Sequence, residues 1–354
     1  MTTADQQEKP TDLVAAAMLL LNSMGLSLND LTKADVTTRA VPTFAEFVPR
    51  IAATANANSA SNWINYWRVL VSDWGSRKIT EPTTTELMQL AVTVQQQATT
   101  RKNSRGGYGA MANFVDAVKY LYRQAIADKH LLATENPAAA LSKPTRRRSP
   151  RHALSNSQLT DINEGAATTG KDPELDTLVI RLHTETACRR NGALMLRSRD
   201  LNRDQMTVRL REKGNTVRDQ PVSPTLMNAL IHHDRQRNFP HDPEGRLLRY
   251  RNGDPLTSGY YDRLWQRLGR YKSWISTLGV TAHWLRYTTL TWVERNFGYA
   301  VAAAFAGHAT SRRSGTTLTY VEGTVQEVAT ALAALTGEPH PLALESEPSP
   351  EKSP

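Results

Sequence analysis

The chain has 354 residues, a length suited to two domains, and 40% of them are apolar, enough for genuine cores. A single cysteine, Cys188, excludes an internal disulfide framework and any cysteine-rich zinc site. No stretch approaches the roughly 18 apolar residues that a membrane span needs. Acidic Asp5 and Glu8 stand where a secretory signal is basic, so a cytoplasmic protein is expected.

In chain order, residues 1–43 read as an N-terminal helical extension. One helix is expected over 13–24, with the apolar run 13–21 as its buried face, and Pro42 biases Val41 away from helix. Residues 44–142 read as a helical domain. Phe44, Phe47, Val48 and Ile51 recur at helical spacing, as do Trp63, Tyr66, Trp67, Leu70, Val71 and Trp74. Further helices are expected over 85–97 and 111–127. The aromatic residues read as core rather than as platforms for stacking bases. Asn136-Pro137 closes the block. Residues 143–152 are a basic linker, with two prolines and no apolar periodicity.

Residues 153–337 read as a second domain that mixes α and β. Ser155 is a helix cap, and Leu175, Leu178, Val179 and Leu182 mark a second helix. Residues 205–210 alternate, with Met206, Val208 and Leu210 on one face. A turn at Gly214-Asn215 and the stretch 216–222 complete a β-hairpin. Helices are expected over 224–236, 257–278, 281–296 and 324–335. In the last of these, Val325, Val328, Leu332 and Leu335 form a stripe that suits docking on its own domain or on a neighbour's. Residues 338–354, rich in Pro, Ser and Glu, read as a disordered tail. The fold class is therefore mainly α with a small β-hairpin or sheet.

Lys and Arg number 43 against 34 Asp and Glu, a formal net charge of +9. Residues 101–151 hold eleven bases and three acids, nearly the whole excess. Such a localised stripe suits a polyanion, because neutralising phosphates releases condensed counterions. Its candidate contacts are Arg101, Lys102, Arg105, Lys143, Arg146, Arg147, Arg148 and Arg151.

No Gly-rich phosphate loop precedes a Lys-Ser/Thr pair, and no His or carboxylate cluster has metal-ligand spacing. His183-Thr-Glu185 begins like a deaminase signature, but no cysteine pair follows it, so it reads as helix surface or core. What remains is a dispersed, phosphate-friendly set. Arg189 follows an apolar helix, and Lys213 sits at the hairpin tip. His283 and Arg286 lie about 60° apart around one helix axis and project the same way. Gly307-His308 follows an apolar helix, and Tyr320 follows Thr316-Thr317. Singly, each has an ordinary structural explanation.

Their order resembles the tyrosine recombinase (phage integrase) family. The resemblance rests on the stretches 186–200 and 213–222, on His283-Trp-Leu-Arg286-Tyr-Thr-Thr289, on Gly307-His308 and on Thr316-Thr-Leu-Thr-Tyr320. It covers the second domain in full and the helical domain more weakly. The chain departs from the family at Ala187, where Gly is frequent, at Gly192, where an acid is frequent, and at Tyr287, where His is frequent. The stretch from His308 to Tyr320 is also longer than usual, with the excess near Ser311 to Gly315.

The resemblance implies a helical core DNA-binding domain followed by a tyrosine recombinase catalytic domain. It implies site-specific DNA strand exchange, as by the integrase of a mobile element. Its roles are Tyr320 as nucleophile, Arg189 and Arg286 as phosphate clamps, Lys213 as acid for the leaving oxygen, His283 as acid/base and His308 as a phosphate donor. Tyr299 is the backup nucleophile. No cofactor or metal is implied. The partners are double-stranded DNA and further copies of the chain, as a homotetramer on paired DNA sites, with scope for an accessory DNA-bending or directionality factor and a nucleoid-associated location. A type IB topoisomerase-like enzyme and a DNA-binding protein without catalysis are the competing expectations.

Overall fold

The computed structural model describes residues 10–27, 40–98, 106–145, 151–212, 216–307 and 323–344. The chain divides into two compact units, Met1–Arg148 and Ser149–Pro354.

In the first unit, helix α1 (Pro10–Ser23) precedes α2 (Phe44–Thr54), α3 (Ala57–Trp74), α4 (Thr84–Gln97) and α5 (Tyr108–Ala127). Capping boxes fix two helix starts. Thr43 and Thr83 accept the backbone N–H groups of Glu46 and Glu86, and those carboxylates accept the cap N–H groups in return. The helices α2–α5 bury Phe44, Phe47, Trp67, Leu87, Phe114 and Tyr122 completely. The two buried polar tips are satisfied, Trp67 Nε1 by Ala117 O at 3.1 Å and Tyr122 Oη by Ile79 O at 2.9 Å. These aromatics are core.

Helix α1 is a correction. Its apolar run was expected to be buried, yet Val14, Leu19 and Leu20 are 61%, 71% and 64% exposed. An apolar run signals a demand for burial without specifying the surface that meets it, and the described residues of this chain do not cover it.

The second unit contains α6 (Asn156–Thr168), α7 (Pro173–Thr186), α8 (Arg190–Met195), strands β1 (Leu201–Asn202), β2 (Thr207–Glu212) and β3 (Thr216–Pro221), then α9 (Pro224–Arg237), α10 (Ser258–Tyr271), α11 (Ser273–Leu278), α12 (Ala282–Ala306) and α13 (Val325–Thr336). The strands form one antiparallel sheet in chain order, with Leu210 opposite Arg218 and Glu212 opposite Thr216. Val208, Leu210 and Glu212 face inward, while Arg209 and Arg211 face outward and pair with Asp219 and Asp200. Alternation along a strand dictates this split. Met206, expected on the strand, instead occupies a left-handed turn at φ 50° before it.

Two helices also differ from expectation. The single helix expected over 257–278 breaks at Lys272, whose extended backbone (φ −131°, ψ 111°) lets α11 fold against α10. Gly269 permits the close approach, since a Cβ there would lie 2.9 Å from Ser276 Cβ. The helix expected over 281–296 runs on to Ala306, with a kink at Gly298 (φ 82°, ψ 172°). Glycine reaches that conformation without the steric cost a side chain would incur.

Helix α13 packs Val328, Ala331 and Leu332 on Val293, Val301 and Phe305 of its own unit. The tail expected from Glu338 onward is ordered over 338–344, a second correction. Glu338 accepts from Arg181 at 2.9 Å and from the Thr225 N–H at 3.1 Å, and buried His340 bonds Met206 O at 3.0 Å. Polar composition does not prevent order where each polar group finds a specific partner. Residues 345–354 lie outside the described residues. Among the described residues, no helix is long and apolar enough to cross a membrane.

Candidate active site

The site begins at the end of α7. Ala187 caps that helix in the left-handed region (φ 48°, ψ 27°) and reverses the chain. Arg189 follows as the N-cap residue of α8. The turn is braced from below by His183, fully buried, which bonds Cys188 O at 3.1 Å and Tyr261 Oη at 2.7 Å. Glu185 is also interior, accepting from Arg181 at 2.6 Å and from the Ser223 N–H at 3.0 Å. Both are thus core groups, which decides between the surface and core readings left open by the sequence.

Arg286 reaches the same turn from the first turns of α12. Its guanidinium is 4% exposed, donates to Ala187 O, and donates to Ala306 O at 2.8 Å. Arg218, from β3, donates to Thr186 O at 3.1 Å and to Phe305 O at 2.7 Å. Two arginines therefore tie the end of α7 to the end of α12. Gly307 completes that corner at φ 60°, and a Cβ there would sit 2.5 Å from Arg218 Cδ. Both the backbone angle and the space require glycine immediately before His308.

The anion among these cations is Glu212, the last residue of β2, with its side chain wholly buried. It accepts from Arg189 Nη1 at 2.7 Å and from the Arg189 backbone N–H. Its Oε2 lies 3.8 Å from Arg218 Nε and 3.9 Å from Arg286 Nη1. Burial and the neighbouring Arg189 cation pull the Arg286 guanidinium down to about 10, while Glu212 acts in the opposite sense.

Exposed His283, one turn before Arg286, lines a cavity of about 300 Å³ with Arg189, Arg190, Cys188, Thr281 and Trp265. Desolvation lowers its pKa below the usual 6.5, and the cations Arg151, Arg286 and Arg189 lower it further. His152 packs edge-on against Trp284 at 5.4 Å, which brings Arg151 beside His283. A larger cavity of about 800 Å³, lined by Arg181, Trp292 and Leu335 among others, includes none of Arg189, His283 or Arg286.

Of the expected catalytic residues, the structure brings Arg189, His283 and Arg286 together. Lys213, His308 and Tyr320 lie outside the described residues, as do Arg101, Lys102, Arg105, Arg146, Arg147 and Arg148 of the basic stripe. Lys143 is 52% exposed and pairs with Asp116 at 2.6 Å. Sequence reasoning missed Glu212 and Arg218. The signal was present in the hairpin: a charged residue stands on the inward side of each strand, in register with Leu210 on β2 and with Gln220 on β3.

Chemically, the arrangement offers Arg189 and a neutral imidazole lining a cavity that Asp262 also lines, with Arg286 behind them and the buried Glu212 carboxylate holding the cations at close quarters. Planar guanidinium forks match pairs of phosphate oxygens and stay charged. Residues 152–326 match the model of the phage integrase family. No curated protein matches by sequence. Among solved structures, the chain is similar to a lambda integrase dimer bound to a COC′ core site, with 16% identity over 88% of this chain and 85% of that one, and a TM-score of 0.59. A lambda integrase tetramer bound to a Holliday junction gives 15% identity over 92% and 89%, TM-score 0.59. The Tn1549 transposon integrase in complex with transposon right end DNA gives 18% identity over 83% and 99%, TM-score 0.60. At these identities the likeness is one of fold.

Proposed function

We propose, from the match of residues 152–326 to the phage integrase family, that the chain is a site-specific DNA recombinase, the integrase of a mobile element, which cuts and rejoins strands through a 3′-phosphotyrosyl intermediate. The observation that carries this reading is the convergence of Arg189 and Arg286, from well-separated stretches, on one turn at Ala187 and one carboxylate at Glu212.

Tyr320 attacks the scissile phosphorus. The bond from phosphorus to the 5′-oxygen breaks as the tyrosyl ester forms, and Lys213 supplies the proton to the departing oxygen. The ester conserves the energy of the broken bond, so rejoining needs no nucleotide cofactor. Arg189 and Arg286 hold the non-bridging oxygens, and preorganised donors of this type contribute roughly 10²–10³-fold each. His283, kept neutral by its surroundings, takes the phenolic proton, and His308 donates to the phosphate. The chemistry assigned to these groups needs no metal.

Double-stranded DNA is the substrate. The basic stripe, with Lys143 to Arg151 as a strap, positions the duplex rather than reading its bases. Affinity should fall steeply as salt rises, and a flat salt response would count against the stripe as a phosphate contact. Exchange joins two duplexes and cuts four strands, so the working form is a homotetramer on paired sites, with an accessory bending or directionality factor as a further partner and the nucleoid as its place of action. A nicked suicide substrate tests the chemistry. The wild-type chain should yield a DNA adduct that survives denaturant, is insensitive to chelator, and vanishes in Tyr320→Phe. DNA bound without adduct would favour a protein that binds without catalysis. Adduct without a need for paired sites would favour a topoisomerase-like enzyme.

A further inference from the structure

Glu212 is not accounted for by the family resemblance, and its surroundings give it a definite task. Among the described residues, four α-helices open with a reciprocal capping box, in which the third helical residue reaches back to the cap N–H: Glu46 to Thr43, Glu86 to Thr83, Gln158 to Ser155 and Glu327 to Thr324. Helix α8 cannot do this. Its cap residue is Arg189 and its third residue is Gly192, which has no side chain. The Arg189 N–H is nevertheless accepted by a carboxylate, and that carboxylate arrives from β2 as Glu212. The fit is reciprocal, since a Cβ on Gly192 would lie 3.1 Å from both Cγ and Oε1 of Glu212. The glycine leaves the volume that the strand's carboxylate fills.

We infer that Glu212 is a positioning residue for strand transfer, replacing from β2 the acid that α8 lacks and holding Arg189, and through the shared cluster Arg286, in the orientation that receives the phosphate. One oxygen fixes the Arg189 backbone and the other fixes its guanidinium, so a single buried group sets both ends of that side chain. The second oxygen also lies within 4 Å of Arg218 and Arg286, which places one negative charge among three positive ones. Without it, the like charges would separate, and the donors would lose their common aim. The consequence for the reaction rests on the recombinase reading, whereas the contact itself does not.

The test uses the full chain, a nicked DNA site and three variants. Glu212→Gln keeps the shape and removes the charge, and Glu212→Ala removes both. Gly192→Glu combined with Glu212→Ala restores an acid from the helix side, in the space the alanine vacates. Both single variants should slow single-turnover adduct formation by about 10²-fold, with affinity for the site changed by less than about threefold. The double variant should recover to within about tenfold of wild type. Two results would overturn the inference: Glu212→Gln reacting at the wild-type rate, or a double variant that melts like wild type and stays as slow as Glu212→Ala.

Wild-type adduct that depends on Tyr320 and on paired sites keeps the recombinase reading in place whatever the variants do. If the wild type binds DNA and forms no adduct, that reading falls alone. The holding role is then decided by the Arg189 amide proton, which a charged acceptor shifts downfield. It should move upfield in Glu212→Gln and return in the double variant, and an unmoved signal contradicts the role.

Discussion

The two units use charge in opposite ways. In the helical unit, ion pairs stay at the surface. Lys143 and Asp116 meet at 2.6 Å with side chains 52% and 37% exposed, and Arg50 meets Asp128 at 3.8 Å, also exposed. The interior of that unit is Trp67, Phe47, Phe114 and their apolar neighbours. In the second unit, Arg286 and Glu212 are buried with the 10% exposed side chain of Arg218 beside them, and backbone carbonyls at Thr186, Ala187, Phe305 and Ala306 accept from the two arginines. Packing alone explains the first unit. Buried ion clusters are poor stabilisers compared with apolar packing, so the second cluster is better explained by what its geometry can hold than by what it adds to stability.

The comparison sharpens most at Arg286. Arg286→Ala should reduce single-turnover adduct formation by about 10²–10³-fold. It also strands the Ala187 and Ala306 carbonyls, at about 1–3 kcal/mol apiece, which urea unfolding will read. Next, Trp67→Ala should destabilise the helical unit by about 3–5 kcal/mol. At saturating DNA and a temperature where that unit stays folded, the chemical step should be unchanged, and a large loss there would break the separation of roles.

A smaller effect is expected in the pH profile. His283 must be neutral to accept a proton, and its pKa lies below 6.5. The adduct rate should therefore hold as pH falls through 6.5 and decline only below it. Removing a neighbouring cation relaxes that depression, so Arg151→Ala should move the acid limb to higher pH. A limb that stays put or moves lower contradicts the assigned proximity. The smallest effect is at the surface, where Lys143→Ala should cost no more than about 0.5 kcal/mol in unfolding experiments.

Arg189, His283 and Arg286 were legible because their order along the chain survives without any knowledge of folding. The helices of the first unit were legible because Phe44 to Ile51 and Trp63 to Trp74 keep one apolar face. Glu212 was not, because its meaning depends on a glycine across the fold, and strand alternation alone does not name a charged residue's partner. The exposed run in α1 and the ordered contacts of Glu338 and His340 share that cause: composition states what a segment needs and not whether the tertiary structure provides it. The break at Lys272 escaped because the helical pattern of 257–278 is continuous across it.

The most direct measurement is peptide mapping of the covalent DNA adduct by mass spectrometry. The account predicts a single modified peptide with the 3′-phosphate esterified to Tyr320, formed in wild type and depleted about 10²-fold or more in Arg286→Ala. An adduct on Tyr299, which is 55% exposed on the far side of the α12 kink, or on any other residue, would contradict it.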